Sequence, residues 1–199
     1  MKRWILSLFV ALVLATQSFA QVVIETEHRV TNFGPGYCAW CSIEMLGRHN
    51  GIKKLHNLDE DRSKESHVKS WDGEKWVPQP YVIVEYGPGQ WVREKRNVGT
   101  DYGVYRKLNS LGVKYKMQWT GNYSHNLIKY AIKNKLGCAF AVKAGTFGPK
   151  TSAHAMVLTD FNDKTVEVLD PNDTEKIYVY NREWFDTNWT GWILVIEKE

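Results

Sequence analysis

Cysteine is scarce in this chain of 199 residues, and strong charge of either sign is absent. The formal net charge is +4, and Lys2 and Arg3 in the first stretch account for half of it. So mild a balance gives no footing for a nucleic-acid partner. After residue 20 no apolar run is long enough to cross a bilayer, so stable membrane insertion is not expected once the first stretch is removed. No second Cys/His pair sits at ligand spacing, which counts against a zinc or other metal site. With no cofactor motif either, any chemistry would rest on side chains alone. Two Gly-Pro-Gly tripeptides, at 34–36 and 87–89, are too short an echo to make a repeat. Nothing in the pattern speaks to oligomeric state.

Aromatic residues, by contrast, are plentiful. Nine tryptophans and ten tyrosines suit either an aromatic-lined cleft or a well-filled core. The first twenty residues have the build of a targeting signal. Lys2 and Arg3 form a basic start, Trp4 to Leu14 is an apolar run too short to span comfortably, and Ser18-Phe19-Ala20 is a small-x-small cleavage pattern. Residues 1–20 are therefore expected to direct export to the periplasm or exterior, with a retained anchor as the alternative. No cysteine follows the cut, which argues against a lipoprotein. Residues 21–199 then form one domain with a real core.

Three cysteines are an odd number for an exported chain, so at least one is unpaired unless chains are linked. The favoured bookkeeping leaves Cys38 free and bridges Cys41 to Cys138. A Cys38–Cys41 bridge would silence Cys38.

Regular structure is expected in patches. Gln21–Val30 reads as a first strand, and Cys38 to about Arg48 as a helix with Ile43, Met45 and Leu46 inward, ended by His49-Asn50-Gly51. Residues 52–100 are the least regular, with a charged loop at Asp59–Ser66, a hairpin turn at Asp72-Gly73 and a strand over Tyr81–Tyr86. Asp101 and Ser124 are placed to cap two helices, closed by Gly112 and Gly137. Val113–Trp119 reads as a short strand between them. Strands follow at Cys138–Lys143, Ala153–Asp160, Thr165–Asp170 and Glu175–Tyr180. A short helix over Arg182–Trp189 precedes a last strand, Trp192–Glu197. Helices early and antiparallel strands late argue an α+β fold.

Within this frame, Asn32-Phe33-Gly34-Pro35-Gly36-Tyr37-Cys38 delivers a thiol to a helix start. Unpaired N–H groups there carry partial positive charge and favour the thiolate, the form that attacks. His154 and Asp170 fall on neighbouring strands. If their hairpin is centred on Asn162 the two are directly opposed, with Cβ atoms about 4.5–5.5 Å apart. A one-residue slip would put Asp170 on the wrong face. Such a set has defined roles: His154 as base and acid for Cys38, Asp170 as its orienting carboxylate, the Cys38 N–H and the Asn32 amide as oxyanion donors. Cys41 is the weaker nucleophile candidate, because the residue six before it is Pro35, which cannot donate. A thioredoxin-like Cys-x-x-Cys pair is disfavoured by the preceding loop.

Those motifs resemble the bacteriocin-processing (double-glycine leader) cysteine peptidases and their free-standing relatives, a branch of the papain-like fold. The resemblance is carried by Asn32 to Trp40, by His154-Ala155-Met156-Val157-Leu158, by Leu169-Asp170-Pro171, and by Phe185 and Trp189 before the strand Ile193–Ile196. It covers about 22–51 and 101–197 and leaves 52–100 as an insert. Asn32 stands where the family has Gln, one methylene shorter, and Ala39-Trp40 replace Gly-Pro. The resemblance implies a papain-like fold in which an N-terminal helix carrying the cysteine packs on a C-terminal antiparallel sheet. It also implies a thiol-dependent peptidase or amide hydrolase acting on a peptide or peptide-like amide. The alternatives are a cell-wall peptide endopeptidase or acyltransferase on the same site, and a catalytically inactive module binding peptide or glycan. Trp71, Trp76 and Trp91 could line a groove but fit better as hairpin core, and His125 reads as a surface residue at a helix start.

Overall fold

The computed structural model describes residues 21–32, 37–58, 69–71, 76–78, 81–87, 90–95, 101–149 and 153–199. Residues 1–20, expected to be a targeting signal, Gly34-Pro35-Gly36, the charged stretch Asp59–Ser66 and the turn expected at Asp72-Gly73 lie outside the described residues, as do the side chains of Trp71, Trp76 and Trp91.

Helix α1 spans Cys38–His49. Ala39, Met45 and Leu46 are strong helix formers, and Cys41 to Gly47 are buried without a break, so α1 runs through the interior rather than over it. Gly47 permits this: a Cβ there would lie 2.4 Å from the Leu55 Cβ, where the short 3₁₀ turn Lys53–Leu55 crosses the helix. The far end is tied down by Asn50, whose Nδ2 donates to the carbonyls of Leu136 and Ile196 at 3.2 and 3.0 Å.

Glu44, a charge in the middle of this buried helix, is fully partnered. Its carboxylate accepts from Arg48 Nη2 at 2.6 Å and from the backbone N–H groups of Asn57 and Leu58 at 2.9 and 3.0 Å. A buried charge is tolerable only when paired and hydrogen-bonded, and here the pairing also pins the 52–58 segment to α1.

Strands β1 (Lys69–Trp71) and β2 (Trp76–Pro78) form the hairpin expected around Asp72-Gly73. Strand β3 (Tyr81–Gly87) pairs with β4 (Gln90–Lys95), a strand the sequence reading missed because its apolar residues, Trp91 and Val92, are adjacent rather than alternating. Helix α2 (Asp101–Ser110) begins at the residue expected to cap it, and buries Val104 and Leu108. The main sheet comprises β5 (Tyr115–Gln118), β6 (Cys138–Val142), β7 (His154–Phe161), β8 (Thr165–Asp170), β9 (Asp173–Asn181) and β10 (Trp189–Ile196). Its six strands lie in the order β5-β10-β6-β7-β8-β9, with every neighbouring pair antiparallel. Helix α1 packs on β6, β7 and β10, helix α3 (Asn126–Lys133) on β5, β6, β7 and β10, and the short α4 (Arg182–Asn188) on β8 and β9. The run of buried residues from Ala155 to Thr159 places β7 at the centre of the core.

Two local expectations fail for clear reasons. Gln21–Val30 is not a strand: Val22 and Ile24 are buried, but the segment makes one backbone bond to β7, from Val22 N–H to the Thr159 carbonyl, before turning into a 3₁₀ turn at Thr26–His28. The alternating pattern reported burial, not pairing. Ser124 does not cap α3, whose N-cap position is His125. Its hydroxyl reaches only the Asn126 N–H, at 3.4 Å.

Candidate active site

The first residue of α1, the first of β7 and the last of β8 meet at one point. Cys38 Sγ accepts a hydrogen bond from the Ala155 N–H at 3.4 Å and is hydrogen-bonded to the His154 ring. On its other side the ring donates from Nε2 to Asp170 Oδ1 at 2.7 Å, which leaves Nδ1 to face the sulfur. The imidazole is 11% exposed and the carboxylate 16%. Cys38 is likewise half-buried, so water reaches the three groups only in part.

Strand register makes this contact by a route other than the expected one. His154 is not directly opposed to Asp170. Val157 pairs with Leu169 and Leu158 with Val168, so one further step sets Asp170 across from Met156. His154 is then its diagonal neighbour on the same face, within reach of a ring. Nearer the turn the pairing differs by one: Asp160 faces Glu167 and Phe161 faces Val166. Thr159 is the extra residue, a β-bulge. Had the turn-end register continued, Asp170 would face Val157 and point away from His154. The bulge restores the parity on which the contact depends.

Charge at the site is set by these contacts. Burial opposes ionisation of Cys38, but hydrogen bonds from His154 and the Ala155 N–H, the His154 charge and the Ala39 N–H at the helix start together hold its thiol below the ordinary value. Burial would likewise lower the pKa of His154. The Asp170 carboxylate and the Cys38 sulfur outweigh it and push the ring up to about 9. The two shifts point the same way, toward a thiolate beside an imidazolium.

Asn32 sits against the turn that carries the carboxylate. Its N–H donates to the Pro171 carbonyl at 2.7 Å, and its Nδ2 donates to Asn172 Oδ1 at 2.8 Å. The Asn172 N–H in turn donates to Asp170 Oδ1 at 2.7 Å. Asn172 Nδ2 lies 3.4 Å from His154 Nε2; both are donors when the ring serves Asp170, so this is a close approach and not a bond. The turn at 170–172 thus locates both the carboxylate and the Asn32 amide.

Sequence reasoning missed Asn172, the Ala155 N–H and Phe147, whose ring stands edge-on to His154 with centroids 5.9 Å apart. Asn172 belongs to Asp170-Pro171-Asn172-Asp173, which from sequence could be only a turn, with no role for its amide. Phe147 lies in a Gly-rich loop with no periodicity to mark it. The favoured Cys41–Cys138 bridge is also corrected, since no disulfide joins the cysteines. Cys41 directs its sulfur to the Thr31 carbonyl, 3.9 Å away, while Cys138 opens β6 across from Leu158. Among the described residues no three His, Cys, Asp or Glu side chains converge as a metal site requires, and no helix is long and apolar enough to cross a membrane.

A helix-borne thiol set against an imidazole on an antiparallel sheet is the arrangement of the papain-like cysteine peptidases. The chain belongs to the Peptidase C39 like family, whose sequence model matches residues 17–192. Among solved structures it is similar to a double glycine motif protease from an AMS/PCAT transporter in complex with the leader peptide. That likeness has 16% identity and a TM-score of 0.52, covering 90% of this chain and 95% of the other. It is also similar to a putative C39-like peptidase from Bacillus anthracis, at 16% identity and a TM-score of 0.57, covering 89% and 98%. At such identities these likenesses establish the papain-like fold. A search of curated proteins finds no match.

Proposed function

We propose that the protein is an exported thiol hydrolase that cuts peptide or peptide-like amides through Cys38, His154 and Asp170, with Asn32 as an oxyanion donor. The observation that carries this reading is the unbroken contact from the Cys38 sulfur through the His154 ring to Asp170. The Cys38 thiolate attacks the carbonyl carbon, and the oxyanion is met by the Cys38 N–H and the Asn32 amide. His154 gives its proton to the amine nitrogen as the C–N bond breaks, leaving a thioester. The now neutral ring removes a proton from water, the hydroxide attacks the thioester, and the acid departs as the thiolate is restored. Asp170 keeps the ring in the tautomer and orientation both steps need. The similar protease that holds a leader peptide supports a peptide as substrate. The basic and apolar build of residues 1–20 supports export, with 21–199 as a single domain and about 52–100 as an insert in it.

The first test needs no substrate. Iodoacetamide at pH 6 should alkylate Cys38 faster than an ordinary thiol, and His154→Ala should abolish the advantage. Slow labelling indifferent to His154 would sink the hydrolase and favour an inactive binding module. Peptidoglycan fragments run beside a panel of protein substrates then separate a cell-wall endopeptidase from a general peptidase.

A further inference from the structure

A row of aromatic rings leads away from the site along one edge of the fold. Phe147, on the loop between β6 and β7, is 45% exposed and touches His154 edge-on. Its ring lies 6.0 Å from that of Trp184 on α4. Trp184 is stacked on Tyr180 of β9, centroids 3.8 Å apart and 14° from parallel. Tyr180 is nearly parallel to Tyr178, at 6.2 Å. Trp184, Tyr180 and Tyr178 are each half-buried, so the row is neither core nor loose surface. The Tyr178 hydroxyl donates to Asp173 Oδ2 at 2.7 Å, and the Asn181 side chain accepts from the Trp184 N–H at 2.7 Å, so the ladder stands on a fixed backbone.

The row begins at the imidazole rather than at the sulfur, and that decides what it can hold. In an acyl transfer the imidazolium must reach the nitrogen of the leaving amine. Side chains packed against the ring therefore lie beside the leaving half of the substrate, not the acyl half. We infer that Phe147, Trp184 and Tyr180 form the seat for the residues on the C-terminal side of the scissile amide, and that this seat selects an aromatic or bulky apolar side chain there. The occupant is a peptide, because the ladder is continuous with the proposed peptide-cleaving centre. The inference deepens that reading and rests on it. Preorganised rings offer a flat side chain offset-stacked and edge-to-face contacts at little entropic cost, whereas glycine has no side chain to place there and a carboxylate is repelled by the ring faces.

The test uses protection, so that it does not depend on turnover. Short peptides that begin with Phe, Leu, Gly or Asp mimic the departing half, and each is added while iodoacetamide alkylates Cys38 in the intact protein. The Phe and Leu peptides should slow alkylation at concentrations where the Gly and Asp peptides do not, by roughly three- to tenfold as expected for one or two ring contacts. Phe147→Ala and, separately, Trp184→Leu should erase that preference, read within each variant as the ratio of its protected to its unprotected rate. Equal protection by all four peptides, or by none, overturns the inference. So does a Phe147→Ala variant that slows alkylation without peptide yet keeps the preference, since Phe147 would then only shield the His154–Asp170 contact. Failure of the hydrolase reading has a different signature, loss of the His154 dependence of labelling, so the two outcomes are distinguishable.

Discussion

Two histidine–aspartate contacts stand among the described residues, and they do different things. His154 and Asp170 are 2.7 Å apart, 11% and 16% exposed, with a thiol on the second ring nitrogen. His125 and Asp186 are 2.9 Å apart, but 29% and 44% exposed, and the second nitrogen of that ring lies 3.4 Å from Arg182 Nη2. A guanidinium can only donate, so Arg182 uses the ring as an acceptor and cannot be activated by it. His125 also stacks on Trp189, at 5.5 Å and 23°, as one more ring in the cluster with Phe161 and Phe185. An imidazole beside a carboxylate is thus no chemical machine in itself. What separates the pairs is the third group: a proton that can be taken at one, a cation and a wall of rings at the other.

The contrast is broken most severely by removing the thiol or the ring that serves it. Cys38→Ala and His154→Ala should each cost peptide cleavage at least about a thousandfold, with folding intact by circular dichroism. Asp170→Asn follows at about a hundred- to ten-thousandfold, because the ring loses its tautomer and its charge stabilisation together. A His154→Ala protein that still cleaves would move the reaction away from this site.

The pH profile sharpens the same comparison. With the Cys38 thiol held low and His154 pushed up to about 9, kcat/KM should rise through an acidic limb, stay flat, and fall as the ring deprotonates near 9. Asp170→Asn removes the partner that raises the ring, so the upper limb should move down. The stability consequence has the matching sign. A ring whose folded value exceeds its unfolded 6.5 contributes fully below 6.5, and its contribution is lost as pH rises toward 9. Thermal denaturation across that window should show the loss in the native protein and not in His154→Ala.

Legibility divided along physical lines. The thiol at a helix start was readable because glycine, proline and glycine precede an apolar periodic run, and β6 to β10 were readable from their apolar patterning. The His154–Asp170 contact was anticipated for the wrong register. Side-chain parity is a period-two property and survives an even shift, while the bulge at Thr159 that sets it has no residue signature. Glu44 was invisible as a buried anchor, since nothing local says that the N–H groups of Asn57 and Leu58 will turn toward it. Cys38 was expected free of a disulfide and is, while the Cys41–Cys138 bridge was expected wrongly, because spacing says nothing of where sulfurs point.

Asn32 offers an intermediate effect. Asn32→Ala should lower kcat about a hundredfold with KM little changed, the loss expected for one oxyanion donor. Asn172→Ala keeps the donor and removes one of its contacts to the 170–172 turn, and about tenfold or less is expected. Equal losses in kcat for the two variants would make the turn, and not the amide, the thing that matters.

The smallest effect belongs to the other histidine, and it tests the comparison most directly. His125→Asn removes the ring from between Trp189 and Phe161 and leaves Asp186 with Arg182 at 3.4 Å. Loss of aromatic packing and of a half-exposed contact should cost about 1–2 kcal/mol in urea denaturation. Cleavage should stay within about threefold, and alkylation of Cys38 at pH 6 should be unchanged, because no contact links His125 to the sulfur. A variant that lost activity in step with His154→Ala would mean that α4 and β9 transmit to the site, and the division between a chemical pair and a structural pair would have to be given up.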